Sequence, residues 1–347
     1  MAKEVKIERI TVPDQRSEGY QKWIKTGADF LRSELPFEGP ADISITIGSG
    51  LSSVVDSLQL ADRKVIPYED IGLPVGQVEG HKKEIIAGIT PEGKKVIVVN
   101  GRTHAYEIPE EGLETAAWGR LGRMELATGY LAMLNEVGVE NVILTCAAGG
   151  INHPMNYGQP QPFDEESLPV IGLIASDVNK AYPSPHMGNF KARKGNFFGL
   201  QDADEKLMEL FRQSAAVNEP GVKVPFVHYV TSPSTPSFED AGVIYETAIN
   251  GGQVVGMSYS YEKEFISGLD HIGRFAGIAV VTNSVELIDK NKSDNPLKNL
   301  SVEELRYRYP WEFKIAHPAS HDEVQAMGKL ANERLGKALV QMVKSLA

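Results

Sequence analysis

The chain has 347 residues, 42% of them apolar and 23% charged, with a formal net charge of −11. Those proportions suit a water-soluble globular protein and leave no broad basic face of the kind that binds nucleic acid. One cysteine, Cys146, excludes an intramolecular disulfide, and no run of about 18 apolar residues offers a membrane span. The first residues, Met-Ala-Lys-Glu-Val-Lys, are too charged for a signal peptide, so the cytoplasm is the expected compartment.

In chain order, Tyr20, Trp23, Ile24, Ala28 and Leu31 recur at helical spacing over residues 18–33. Ile43 to Ile47 reads as a buried strand, with a helix beginning near Ser52 or Ser53. Segments 64–68, 83–90 and 94–100 are β-rich and broken by glycine and proline, which predicts a hairpin-like middle section. Residues 111–137 carry Leu113, Ala117, Leu121, Met124 and Leu131 on roughly one helical face. Val142 to Ala147 and Val170 to Ala175 read as strands, separated by a Pro- and Asn-rich excursion over 152–167. A loop over 179–199 is long enough to cover a site. Helices are predicted over 203–217 and 239–251, and strands over 224–230, 254–258 and 277–283, with a further helix between the last two. The last helix has a sharp start, a capping box of Ser320 and Glu323, followed by the stripe Val324, Met327, Ala331, Leu335, Leu339 and Val343. Strand and helix alternate throughout, so the fold class is α/β, and no linker divides residues 1–347 into two domains.

Five of these strands run into polar or glycine-rich clusters, and ligands of open α/β sheets bind outside the carboxyl ends of strands. Gly48-Ser49-Gly50 lets backbone N–H groups approach an anion at a helix start, but also suits a plain strand-to-helix turn. It half-matches a dinucleotide fingerprint, with Ser53 where a third glycine belongs. Arg102, His104 and Tyr106 share one face of an extended backbone, where Arg can clamp a phosphate; an ion-pair cluster is the other reading. His81 lies in a polar loop, as a solvated side chain or a ligand contact. Cys146 reads as a buried, inert thiol ahead of Ala147-Ala148-Gly149-Gly150. Phe238 suits stacking on a planar base, and Glu239 suits either ring N–H groups or a helix N-terminus. Asn283, after an apolar strand, can donate to and accept from a heteroaromatic edge. His321 falls in the first turn of the last helix, where the dipole favours a neutral imidazole. Neither metal-ligand spacing nor a nucleophile elbow is present.

Taken in order, Gly48-Ser49-Gly50-Leu51, Gly80-His81, Gly101-Arg102-x-His104-x-Tyr106-Glu107, Ala147-Ala148-Gly149-Gly150, Pro236-Ser237-Phe238-Glu239, Gly256-Met257-Ser258, Thr282-Asn283 and Ser320-His321-x-Glu323-Val324 resemble the trimeric, low-molecular-mass purine nucleoside phosphorylase family. The resemblance runs from about residue 43 to the C-terminus. It implies a central mixed, largely parallel twisted sheet flanked by helices, a homotrimer, and reversible phosphorolysis of purine nucleosides. It implies no metal and no organic cofactor, inorganic phosphate being a co-substrate. By position, Ser49, His81, Arg102, His104, Ser258 and the N–H of Ala147 would hold phosphate. Tyr106, Met257 and His321 would contact ribose, and Phe238, Glu239 and Asn283 the purine, with Asn283, His104 and Glu239 as the catalytic set. Phe197 or Phe198 would cover the sugar.

Asn283, where relatives acting on 6-amino purines tend to carry Asp, implies 6-oxopurines such as inosine and guanosine, and His321 implies a free 5′-hydroxyl. The chain departs from the family pattern at Cys146, at Asp240 after Phe-Glu, and in the 107–141 and 152–195 regions. Rival readings are a methylthioadenosine phosphorylase-like activity, a catalytically inactive nucleoside-binding homologue and, on the glycine pattern alone, a dinucleotide-dependent oxidoreductase.

Overall fold

The structure, a computed structural model, describes residues 15–48, 50–77, 81–108, 113–115, 119–151, 163, 168–180, 202–232, 240–296, 304, 307–316 and 320–346. Helix α1 (Gln15–Glu34) precedes β1 (Ile43–Ile47), and a single turn of helix, α2 (Val54–Ser57), leads to β2 (Ala61–Pro67), β3 (Glu84–Ile89) and β4 (Lys95–Asn100). β5 (Leu113–Thr115) and β6 (Gly119–Leu121) pair with each other, ahead of α3 (Arg123–Glu136). Then come β7 (Asn141–Ile151), β8 (Val170–Asn179), α4 (Glu205–Asn218), β9 (Phe226–Thr231), α5 (Ala241–Ile249), β10 (Val254–Gly256) and α6 (Tyr259–Ile266). The chain closes with β11 (Arg274–Val285), the short strands β12 (Leu287–Asp289), β13 (Lys292–Pro296) and β14 (Phe313–Ile315), and α7 (His321–Lys344).

Nine strands form one mixed sheet in the order β10-β9-β8-β11-β7-β1-β4-β3-β2. β10 also pairs antiparallel with β7, which closes β7, β11, β8, β9 and β10 into a ring. β4, β1, β7 and β11 run parallel side by side. Parallel strands are covered on both faces, which is why the apolar run Val96 to Val99 is wholly buried and why Ile43 to Ile47 is buried throughout, Ser44 and Thr46 included. The expected hairpin section is present as antiparallel β2, β3 and β4. Register puts Ile47 opposite Asn100, Thr46 opposite Leu144, and Ala147 opposite Val280, so the chain leaves β1 and β4 beside the middle of β7.

Helix α7 starts at its capping box: the Glu323 N–H donates to Ser320 Oγ at 3.2 Å, and the Ser320 N–H donates to Glu323 Oε2 at 2.7 Å. Its buried Leu335, Leu339 and Val343 each stabilise the fold by about 1.5–3 kcal/mol relative to exposure. Two expectations are corrected. The helix predicted over 111–137 is confined to Arg123–Glu136, because Gly119 and Gly122 interrupt the earlier residues, which pair as β5 and β6 instead. The sheet of β13, β12 and β14 was not anticipated; strands this short lack enough alternation to read. Leu287 and Phe313 pack it onto Ile244, Tyr245 and Ala248 of α5.

Candidate active site

Asn100 ends β4, and Gly101 turns the chain at φ +89°, where a Cβ would come within 2.6 Å of the His81 Cβ. The turn carries Arg102 into the interior, where it is 2% exposed. Arg102 Nη1 donates to Ser258 Oγ at 2.8 Å and to Glu262 Oε2 at 2.7 Å, and Nη2 donates to the Thr145 carbonyl. Glu262 is fully buried, and its other oxygen accepts from the Tyr130 hydroxyl at 2.7 Å. Burial is the largest single influence and lowers the guanidinium pKa, but Glu262 first, then Tyr130, Cys146 and Tyr261, together outweigh it and the net shift is upward. A guanidinium has five N–H groups. Those bonds use both of Nη1 and one of Nη2; Nε is buried with no acceptor among the described residues. A buried donor left in that state costs about 1–3 kcal/mol.

The imidazole of His104 stacks on Tyr106, with centroids 5.1 Å apart and planes within 9°, and lies 5.2 Å from the His81 ring. Burial first, then the proximity of His81, Arg102 and Lys83, holds its pKa well below 6.5, so the ring is neutral. Its Nδ1 is buried without a partner among the described residues. The His104 backbone N–H donates to Glu107 Oε2 at 2.6 Å, and His81 Nδ1 lies 2.7 Å from the Arg102 carbonyl. Strand alternation does not bring Tyr106 to this face: Ala105–Glu107 is a 3-10 turn, which stacks the two rings instead.

Gly48 lies against β7, where its Cβ would sit 3.8 Å from the Ala147 nitrogen. Gly50, at φ +74°, packs on α7, and its carbonyl accepts from Asn332 Nδ2 at 2.7 Å. Because α2 is one turn long, the helix-dipole part of the anion expectation at Gly48-Ser49-Gly50 is lost. The strand expected to end at Ala147 runs on to Ile151: the small residues Ala148 to Gly150 continue β7 through its pairing with β11 and β10. Asn283 likewise does not end its strand. It follows a β-bulge within β11, opposite Gly149, and its Oδ1 accepts from Thr282 Oγ1 at 3.3 Å. A bulge at this point re-aims the side chain. Cys146 is inert as expected, 3.8 Å from the Ile278 carbonyl, with burial pushing its thiol up to about 12. Half-buried Met257 precedes Ser258, which stands at the N-cap of α6.

The structure therefore brings together His81, Arg102, His104, Tyr106 and Ser258, with Ala147 and Asn283 along the neighbouring strands. Ser49, Phe197, Phe198, Phe238, Glu239 and the side chain of His321 lie outside the described residues. Asp240 has a local role: its Oδ1 accepts from the N–H groups of Gly242 at 2.9 Å and Val243 at 3.0 Å, capping α5. Sequence reading missed Glu262, Tyr130 and Lys83. Glu262 was within reach, since a residue four after Ser258 lies one helical turn along on the same face. An open groove of about 960 Å³, lined in part by Arg212, Lys223, Phe226 and His228, takes in none of these site residues. Among the described residues, no cluster of three or more His, Cys, Asp or Glu could hold a metal, and no helix is long and apolar enough to cross a membrane.

The fold and this cluster define an α/β protein that gathers anion-competent donors at the ends and bulges of neighbouring parallel strands. No family model matches the chain. The purine nucleoside phosphorylase of Saccharomyces cerevisiae is 34% identical over 322 residues, covering 89% of each chain. Purine nucleoside phosphorylase 1 of Geobacillus stearothermophilus is 30% identical over 237 residues, 68% of this chain and 75% of its own. A Schistosoma mansoni purine nucleoside phosphorylase, solved in complex with inosine, shares the fold at a TM-score of 0.64 and 22% identity, over 94% of this chain and 97% of its own. The chain belongs to the purine nucleoside phosphorylase family.

Proposed function

We propose that the chain catalyses reversible phosphorolysis of 6-oxopurine ribo- and deoxyribonucleosides, inosine and guanosine among them, yielding free base and the pentose 1-phosphate. The observation that carries this reading is the pair of buried nitrogens without partners among the described residues, Arg102 Nε and His104 Nδ1, beside Ser258. Arg102 Nε and the spare Nη2 N–H form the planar fork that matches two oxygens of a phosphate. A neutral His104 adds one further contact, and His81, Ser258, Ser49 and the N–H of Ala147 complete the phosphate set.

Cleaving an N-glycosidic bond builds positive charge on the sugar and negative charge on the departing purine. Phosphate oxygens beneath the ring stabilise the first, and Asn283 donating toward the purine stabilises the second. Such preorganised donors are worth about 3–4 kcal/mol each. Phosphate is itself the nucleophile, so no covalent enzyme residue, metal or organic cofactor is required. Phe238 and Glu239 hold the base with Asn283; Tyr106, Met257 and His321 hold the ribose. The 6-oxopurine preference rests on Asn283 in place of Asp. We read residues 1–347 as one domain, acting as a cytoplasmic homotrimer in purine salvage.

Hypoxanthine release from inosine tests the reading. Release that requires phosphate and yields one ribose 1-phosphate per base supports it. Inosine binding without turnover, or release that ignores phosphate, overturns it.

A further inference from the structure

The geometry points to Lys83 as a positioning residue of the anion site: its ammonium bridges the Arg102 carbonyl and the Glu107 carboxylate, and so sets Arg102 and His104 for phosphate. This rests on the phosphorolysis reading and adds to it a residue that the site assignments above leave out.

Three observations converge on Lys83. It adopts φ +55°, a left-handed conformation that disfavours side chains beyond glycine; the other described non-glycine residues at positive φ, Gln59 and Asp62, are exposed, whereas Lys83 is buried. Backbone in such a region persists only where the surroundings over-determine it, and these positions cluster at functional sites. Its side chain is 5% exposed, and that of Glu107 is 6%. Lysine is almost never so buried unless paired. Lys83 Nζ donates to the Arg102 carbonyl at 2.5 Å and reaches Glu107 Oε2 at 3.5 Å.

The Glu107 oxygen that faces Lys83 is also the one that accepts from the His104 N–H at 2.6 Å. One ammonium thus ties both anion-binding residues to the Glu107 carboxylate. The strained segment is pinned from its other side too: the Lys83 carbonyl accepts from the Tyr68 N–H at 3.0 Å, and the Tyr68 hydroxyl donates to the Gly101 carbonyl at 2.5 Å. The charged and titratable groups around Lys83 are Glu107, Arg102, His104 and His81. Burial lowers the Lys83 pKa, with Glu107 opposing and Arg102 reinforcing that shift. Its charge is therefore lost, as pH rises, below the usual lysine value near 10.4. His104 is already neutral across that range.

The test is steady-state phosphorolysis of inosine by the full chain, with phosphate and inosine varied separately across pH. Lys83→Met keeps the length and the strained conformation and removes the charge; Lys83→Gly suits the left-handed backbone and serves if the methionine variant does not fold. Both variants are expected to raise the phosphate KM about tenfold while the inosine KM stays within about twofold, because only the anion-binding residues are displaced. The wild type should also lose phosphate affinity at alkaline pH, and that limb should be absent from either variant. An unchanged phosphate KM and pH profile in a folded variant overturns the inference while leaving the phosphorylase reading intact. A wild type without phosphate-dependent turnover overturns both.

Discussion

Arg102 and Arg308 are each flanked by carboxylates, yet they spend their hydrogen bonds differently. Arg308, on the β12–β14 sheet, gives Nη2 to Asp289 Oδ2 at 2.7 Å and Nε to Glu312, and lies 5.0 Å from the Phe313 ring centroid. The fork formed by Nε and Nη2 is thus consumed by the protein. Arg102 turns Nη1 to Glu262 and Ser258, gives one Nη2 N–H to Thr145, and keeps Nε unengaged. Exposure differs as well, 26% for the Arg308 side chain against 2% for Arg102. An arginine that fastens a peripheral sheet exhausts its donors locally. Under the proposed reading, Arg102 holds its charge in place with one edge and reserves the other for phosphate.

Breaking the buried pair should have the largest effect. Glu262→Ala leaves the Arg102 charge uncompensated in the interior and should lower unfolding free energy by about 3–5 kcal/mol, read from urea denaturation. Asn283→Ala should reduce kcat for inosine by about 10²–10³ while leaving the phosphate KM nearly unchanged; full activity would remove Asn283 from the chemistry. Asn283→Asp should shift preference toward adenosine, measured as the ratio of kcat/KM for the two nucleosides. Arg308→Ala removes one partner of Asp289, whose side chain is 4% exposed, and should lower stability by about 1–3 kcal/mol while leaving the phosphate KM alone. A change in phosphate KM there would erase the distinction between the two arginines.

The sequence made the α/β class and the strand-end donors legible because apolar runs stop abruptly at Gly48, Gly101 and Gly256, and period-two and 3.6-residue patterns are local. Glu262 and Tyr130 were not legible: they are 132 positions apart, and only tertiary packing makes them partners. Lys83 gave no sequence signal beyond its nearness to His81. The strand read as ending at Ala147 because the small residues Ala148 to Gly150 lack β propensity, yet pairing with β11 and β10 carries them into the sheet. Leu113 and Leu121 mimic a helical stripe, although Gly119 and Gly122 break it.

Arg102→Lys offers the most direct test, since lysine can keep the ion pair with Glu262 but has no Nε–H to present with Nη2 as a planar fork. Phosphate dependence of ribose 1-phosphate formation from inosine would be compared across the wild type, Arg102→Lys and Arg308→Lys. The account predicts saturable phosphate dependence in the wild type, a phosphate KM raised about tenfold or more in Arg102→Lys with a little-changed inosine KM, and no change in Arg308→Lys. Equal phosphate KM values for all three proteins would contradict it.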